Sequence, residues 1–295
     1  MNSPTVIDVE RLNVSYGDFH AVKDLTFSVR RGELYALLGT NGAGKTSTLE
    51  VVEGHRAATS GKVTVLGEHP LDRRAVRPRM GIMLQESGFA ADLSVRETLA
   101  LIGSLSGRSD QPSRVLDVVG LTAKVDTRVS SLSGGEKRRL DFATAIYGSP
   151  ELIFLDEPTT GLDIQSRDDL WDTVDRLRED GATIVLTTHY LEEAQQRADR
   201  IGLMHEGTLR MEGTVSELTG TLPGTISFVL DDAMAPHLPL PSSLTGTGKQ
   251  LIKTQSLQHD LHELLTWAHA HDTELYDLDA GPTRLDDVFR SVSHN

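Results

Sequence analysis

The stretch from Leu34 to Thr46 constrains the fold of this chain more than any other. Leu34-Tyr35-Ala36-Leu37-Leu38 is a short apolar run with the length of a buried strand. Gly39-Thr40-Asn41-Gly42-Ala43-Gly44-Lys45-Thr46 follows it with the G-x-x-x-x-G-K-[ST] spacing, and Lys45–Val52 has helical character. Glycines let consecutive backbone amides turn inward around phosphate oxygens, and the start of a helix adds partial positive charge. In such a loop Lys45 reaches the β- and γ-phosphates of a nucleotide, and the Thr46 hydroxyl meets Mg²⁺.

Strands and helices alternate around this unit. Val6–Tyr16 and Ala21–Val29 read as strands joined by a Gly17-Asp18 turn, and Lys62–Leu66 and Gly81–Leu84 as further strands. Ser94–Leu105, Ser113–Val119 and Ser133–Tyr147 read as helices, the last with its apolar residues on one side. Leu152–Asp156, Ile164–Arg178, Thr183–Thr188, Tyr190–Ala198 and Arg200–His205 then alternate. That order predicts an α/β fold, a largely parallel sheet with helices on both faces.

Composition shifts near Thr219–Gly224, and residues 221–295 read as a small α+β domain. It has strands at Thr225–Leu230 and Glu274–Leu278, a helix through Leu257, Leu261, Leu264, Leu265 and Ala268, and loop at Pro236–Gly248. A last helix runs through Leu285, Val288, Phe289 and Val292, with Thr283 and Asp286 spaced as a capping box.

Two more segments carry chemistry. Leu152-Ile153-Phe154-Leu155-Asp156-Glu157 is an apolar strand ending in two carboxylates. Asp156 is placed to hold Mg²⁺, usually through water, and Glu157 points elsewhere, free to accept the proton of an attacking water. Leu132-Ser133-Gly134-Gly135-Glu136 opens a helix, so it offers a second set of backbone amides to a phosphate. Ser133 and Glu136 are also spaced as a capping box, and the two roles are compatible.

The charge balance limits the partners. With 29 basic and 43 acidic residues the net charge is −14, which argues against nucleic acid and against adhesion to anionic lipid. No cysteine is present, so neither disulfides nor thiolate metal sites are expected. The sequence shows no signal-peptide pattern and no run of about 18 apolar residues, so a membrane role requires another polypeptide. His259, His262, His269 and His271 invite a metal reading, but no two of them form an i, i+4 pair, and a solvated face is expected.

The phosphate loop, LSGGE and Leu155-Asp156-Glu157-Pro158, in this order, resemble the ATP-binding subunit of an ABC transporter over about residues 5–215. The resemblance implies a P-loop NTPase fold of the ABC type at residues 1–220, comprising a RecA-like core, an antiparallel β subdomain and a helical subdomain at about 87–147. Residues 221–295 would then be accessory. ATP and Mg²⁺ are the implied cofactors, with Lys45, Gln85, Glu157 and His189 catalytic. Tyr16, in VSYG, matches the aromatic that stacks on adenine. Gly39, Thr40, Asn41, Gly42, Ala43, Gly44, Lys45, Thr46 and Ser47 match the phosphate-binding positions, and Ser133, Gly134 and Gly135 the signature segment. Thr46, Gln85 and Asp156 match positions around Mg²⁺, and Gln85 the relay to a membrane partner. Pro158–Asp163 matches the loop that crosses between subunits, and His189 the histidine at the γ-phosphate. Two copies are implied to pair head to tail as a homodimer, each ATP held between one copy's phosphate loop and the other's LSGGE. Thr40 and Ile164 stand where proline is common, and Ser47 where threonine is frequent; none of these removes a group that the chemistry needs.

Pro282–Phe289 and Glu136–Ile146 resemble the corresponding parts of bacterial ABC-2 type drug-exporter ATPases. That subgroup implies export of a drug, antibiotic or lipid-like compound through a separate transmembrane permease. The permease would dock near Gln85 and Ser87–Ser131, holding the subunit on the cytoplasmic face of the membrane without a lipid anchor or a nucleic-acid partner. An importer ATPase shares the core motifs and differs in tail and partner. A non-transport ABC clamp typically carries a coiled-coil insertion or two cassettes, and a small-molecule kinase leaves LSGGE and His189 unexplained.

Overall fold

The structure, a computed structural model, describes residues 4–85, 88–220, 222–230, 234–245 and 249–293. Its elements begin with β1 (Thr5–Tyr16), β2 (Phe19–Arg30), β3 (Leu34–Gly39), α1 (Lys45–Val52), β4 (Ser60–Val65), α2 (Arg73–Val76) and β5 (Met80–Met83). Then come α3 (Val95–Ser106), α4 (Pro112–Val118), α5 (Gly134–Ile146), β6 (Leu152–Asp156), α6 (Ile164–Glu179), β7 (Thr183–Thr187), α7 (Leu191–Arg197), β8 (Arg200–His205) and β9 (Thr208–Gly213). The chain continues with α8 (Val215–Thr219), β10 (Gly224–Val229), β11 (Ser243–Leu244), β12 (Gln250–Thr254), α9 (Leu257–Ala270), β13 (Tyr276–Gly281) and α10 (Leu285–Ser293). Two units divide it, Met1–Thr214 and Val215–Asn295.

In the first unit six strands form a sheet in the order β5-β6-β7-β3-β8-β9, parallel except for β9 against β8. Every residue of β7, and all but the last of β3 and β6, is buried, as a parallel sheet covered on both faces requires. Because β6, β7 and β3 are neighbours, the loops after them open side by side at one end of the sheet. Open α/β sheets bind their ligands at that end. A separate antiparallel sheet, β2-β1-β4, shares its apolar face with this core: Ile7, Val9 and Val22 cluster with Tyr35, Leu37 and Val51.

The sequence reading misses β9. It follows β8 through a two-residue turn at Glu206 and Gly207, both with positive φ (48° and 82°), a conformation that suits a tight hairpin. The expected one-sided helix at Ser133–Tyr147 is also corrected: from Leu140 to Ile146 every residue of α5 is buried, Asp141 included. Ser87, given as the start of the helical segment, lies outside the described residues.

In the second unit an antiparallel sheet, β11-β12-β10-β13, carries α9 over a small core of Ile226, Phe228, Leu230, Ile252 and Leu264. The unit begins at Val215, ahead of the expected break after residue 220. Strand β12 is not visible in the sequence because two of its three inward positions, Gln250 and Thr254, are polar. Strand β13 runs from Tyr276 to Gly281, two residues later than expected at its start. Thr283 does not cap with Asp286. Its hydroxyl donates to the carbonyls of Leu222 (3.0 Å) and Pro223 (2.7 Å), and Asp287 accepts from the Arg284 N–H at 3.2 Å.

Candidate functional site

The loop after β3 is built by close backbone approach. A Cβ on Gly39 would lie 2.5 Å from the Met204 carbonyl oxygen, because β3 and β8 pair Gly39 with Met204. Gly44 caps α1 in a left-handed conformation (φ 98°), and a side chain there would collide with the Ala21 carbonyl. Gly42 is also left-handed (φ 79°) but faces open space. The Ala43 N–H turns back onto the Thr40 carbonyl at 3.0 Å, which leaves the donors to the first turn of α1 at Lys45, Thr46 and Ser47. Lys45 folds over the loop and donates to the carbonyls of Gly39 (2.6 Å) and Thr40 (3.2 Å). Burial lowers the pKa of its ammonium, and Glu157 and Asp156 oppose that shift. Asn41 and Thr46 are exposed.

Asp156 ends β6 opposite Thr187 of β7, and the Thr187 hydroxyl donates to its carboxylate. Glu157 leaves the strand with φ 51°, its N–H held by the Thr187 carbonyl at 2.9 Å. Its Oε2 lies 2.5 Å from His189 Nδ1 and accepts the His189 backbone N–H at 3.3 Å. The His189 side chain is 57% exposed, with its ring 4.0 Å from that of Tyr190, whereas the Glu157 side chain is 13% exposed.

Tyr16, at the end of β1, is partly exposed. Its hydroxyl lies 3.1 Å from the Ser47 hydroxyl and donates to Glu50 Oε2 at 3.1 Å, and the Arg56 guanidinium covers the ring at 4.0 Å. The Ser47 side chain therefore engages Tyr16. Gln85 is exposed just beyond β5, and its carbonyl is held by Arg138.

Ser133 caps α5 with the expected reciprocal pair. The Ser133 hydroxyl accepts from the Glu136 N–H at 3.2 Å, and Glu136 accepts from the Ser133 N–H at 2.8 Å. That bond, with Lys124 at 3.1 Å, lowers the Glu136 pKa to about 2. Gly134 and Gly135 face open space. Among the described residues no hydrogen bond or ion pair joins Ser133–Gly135 to the phosphate loop of the same chain. The folding of one chain thus brings Lys45, Asp156, Glu157 and His189 together at one sheet end, while the polar contacts of Ser133 stay within its own helix cap.

Sequence reasoning passed over three side chains here. Arg56 stacks on Tyr16. Glu193, buried and pushed up by burial, accepts from the Thr159 hydroxyl at 2.9 Å within the Pro158–Asp163 loop. Arg138 contacts the loops after β5 and β6. A signal for Arg138 was available: it stands three and four residues before Asp141 and Phe142, on the face that α5 buries. Of the histidines, His259 sits with Asp260 and Glu263 in an exposed or half-exposed cluster on α9 whose ligand atoms lie within 4.8 Å of one another.

Residues 22–160 match the family model described as ABC transporter, and residues 224–283 that described as ABC transporter domain-containing protein-like, C-terminal domain. A Nod factor export ATP-binding protein I from Paraburkholderia xenovorans (strain LB400) is 41% identical over 219 residues, 72% of each chain. A linearmycin resistance ATP-binding protein from Bacillus subtilis (strain 168) is 31% identical over 306 residues, 98% of each chain. The solved structure of an ATP-binding subunit of an ABC transporter superposes with a TM-score of 0.70 at 26% identity, covering 74% of this chain and 93% of that one. A dimeric ATP-binding cassette bound to ADP and Pi shares the fold, with a TM-score of 0.64 at 22% identity over 70% of this chain and 98% of that one.

Proposed function

The chain belongs to the ABC transporter ATP-binding family, and from that membership we propose that it is the ATP-hydrolysing subunit of an exporter, acting through a separate permease. The observation that carries the catalytic reading is the convergence of Lys45, Asp156, Glu157 and His189 where β3, β6 and β7 end.

Phosphate oxygens of ATP take the place of the Gly39 and Thr40 carbonyls on the Lys45 ammonium, and the first-turn amides of α1 complete the cradle. The space beside Gly42 leaves room for that anion. The Thr46 hydroxyl and, through water, Asp156 would hold Mg²⁺, with Gln85 beside it. A hydroxyl and a carboxylate are the hard oxygen donors this cation takes, and Thr187 fixes the carboxylate in place. Bound there, Mg²⁺ neutralises charge on the β- and γ-phosphates. Tyr16 stacks on adenine. His189 leaves Glu157 for the γ-phosphate, which frees Glu157 Oε2 to accept the proton of the attacking water. Ser133 and Gly135 serve the nucleotide of a second copy, consistent with the lack of any hydrogen bond or ion pair from them to the chain's own phosphate loop among the described residues.

Among the described residues no helix is long and apolar enough to cross a membrane. A groove of about 740 Å³ between the β5 region and α3 suits the permease. Leu84 and Leu105 are exposed along it, and Arg73, Arg74 and Arg77 rim it on an otherwise acidic chain. An amphipathic segment with acidic flanks fits that surface, and it would hold the subunit on the cytoplasmic face of the membrane. The match along nearly the whole chain to a linearmycin resistance protein favours a drug, antibiotic or lipid-like cargo. Co-purification with a candidate permease and cargo-stimulated ATPase assays test the reading. A chain that binds ATP but gains no turnover with any permease would sink it.

A further inference from the structure

A single buried guanidinium ties together the two loops on which this reading depends. Arg138, in the second turn of α5, uses all five of its N–H donors on backbone carbonyls. Nη1 donates to Leu84 (2.7 Å) and Gln85 (3.1 Å), Nη2 to Asp156 (2.6 Å) and Glu157 (2.5 Å), and Nε to Pro158 (3.2 Å). Its side chain is 8% exposed, with the Asp141 carboxylate 3.9 Å away. A charge so buried is tolerated only when its donors are satisfied, as they are here.

The acceptors come from two segments that leave the sheet side by side. Strands β5 and β6 are paired neighbours, with Met83 opposite Leu155, so Leu84-Gln85 and Asp156-Glu157-Pro158 emerge together. Arg138 spans the gap between them from the helix that Ser133 caps. It also grips the Glu157 carbonyl, at the residue whose backbone is left-handed (φ 51°). Fixing that peptide fixes the direction in which the Glu157 side chain leaves the strand.

We propose that Arg138 is a positioning residue that makes the Gln85 segment, the Glu157 turn and the LSGGE helix one mechanical unit, so that a displacement of Gln85 by the membrane partner changes the aim of Glu157. The inference rests on the roles given above to Gln85 and Glu157. The planar fork is essential to it: a lysine ammonium has three donors at one point and cannot reach both segments.

The test compares the wild-type full chain with Arg138→Lys and Arg138→Gln, measuring ATP affinity by calorimetry and kcat under saturating ATP. Misplacing a catalytic group by about 1 Å costs on the order of 100-fold, so kcat should fall roughly 10- to 100-fold in both variants while the ATP Kd stays within about threefold. Gln85→Ala should cost less in the Arg138→Lys background than alone. Wild-type kinetics in Arg138→Lys, or kcat and affinity falling in step, overturns the inference while wild-type hydrolysis leaves the ATPase reading standing. A wild-type chain that binds ATP without hydrolysing it overturns both. Hydrogen exchange on the wild type checks the unit without any substitution: peptides carrying Gln85 and Glu157 should respond to ATP together, and a response of one alone overturns the coupling.

Discussion

Glu157 and His189 are in direct contact, Oε2 to Nδ1 at 2.5 Å, and the same carboxylate oxygen also receives the His189 backbone N–H. One carboxylate oxygen therefore carries both contacts to the histidine, and in the proposed mechanism the ring leaves it before Glu157 acts on water.

Their effects on turnover should consequently be non-additive. Glu157→Gln is expected to keep ATP binding, lower kcat by about 10²- to 10³-fold and accumulate an ATP-bound dimer visible by light scattering. Adding His189→Ala to Glu157→Gln should change kcat little further. Full hydrolysis by Glu157→Gln would remove Glu157 from the mechanism.

Tyr16 offers one ring face to a base, since Arg56 lies over the ring at 4.0 Å. Tyr16→Ala should weaken ATP binding by about 1–3 kcal/mol, as loss of a base stack does. Tyr16→Phe breaks the contacts to Ser47 and Glu50 but keeps the ring, so its affinity should stay near wild type. Calorimetry distinguishes the two; equal losses would mean that the hydroxyl, not the stack, is what matters.

The LSGGE segment makes its polar contacts away from its own phosphate loop. A mixture of Ser133→Arg chains and Lys45→Ala chains should then recover ATPase activity that neither has alone, through one intact site per mixed dimer. A mixture no better than its parts would show that Ser133 serves its own nucleotide.

Glu136 is ionised down to about pH 2 in the folded chain, mainly through the Ser133 N–H and then Lys124. For a carboxylate with a depressed pKa, the stabilisation is complete above the unfolded value near 4.5 and is lost as pH falls through the folded one. The difference in thermal stability between wild type and Glu136→Ala should be constant above pH 4.5 and shrink toward pH 2. A difference that grows on acidification would exclude the capping box as its source.

Gly44→Ala would combine a left-handed backbone (φ 98°) with a clash against the Ala21 carbonyl. It should destabilise the first unit by about 1–3 kcal/mol in denaturant titrations and abolish nucleotide binding, because the start of α1 must shift. An unchanged midpoint would mean that the loop does not need this close approach.

How far the sequence foretells this arrangement depends on how local each signal is. The phosphate loop, the capped start of α5 and the acidic end of β6 are each written in a few consecutive residues, and apolar run length marks the buried strands. Strand β12 hides because Gln250 and Thr254 occupy inward positions, with Gln250 bonded to the Ser242 hydroxyl at 2.9 Å. The spacing pairs Thr283 with Asp286, whereas its hydroxyl goes to carbonyls about 60 residues away, which spacing cannot reveal. Arg138 is legible only in part. Its buried face follows from the helix period, but its five acceptors are set by the neighbouring ends of β5 and β6.

The left-handed backbone at Glu157 has a consequence for anyone who evolves this chain in the laboratory. Glycine or asparagine takes that conformation more readily than glutamate does. A screen that rewards heat tolerance alone should therefore enrich Glu157→Gly and Glu157→Asn, yielding a sturdier protein that no longer turns over. At this position ruggedness and the catalytic role proposed for Glu157 pull in opposite directions, so a selection that demands transport should keep the glutamate.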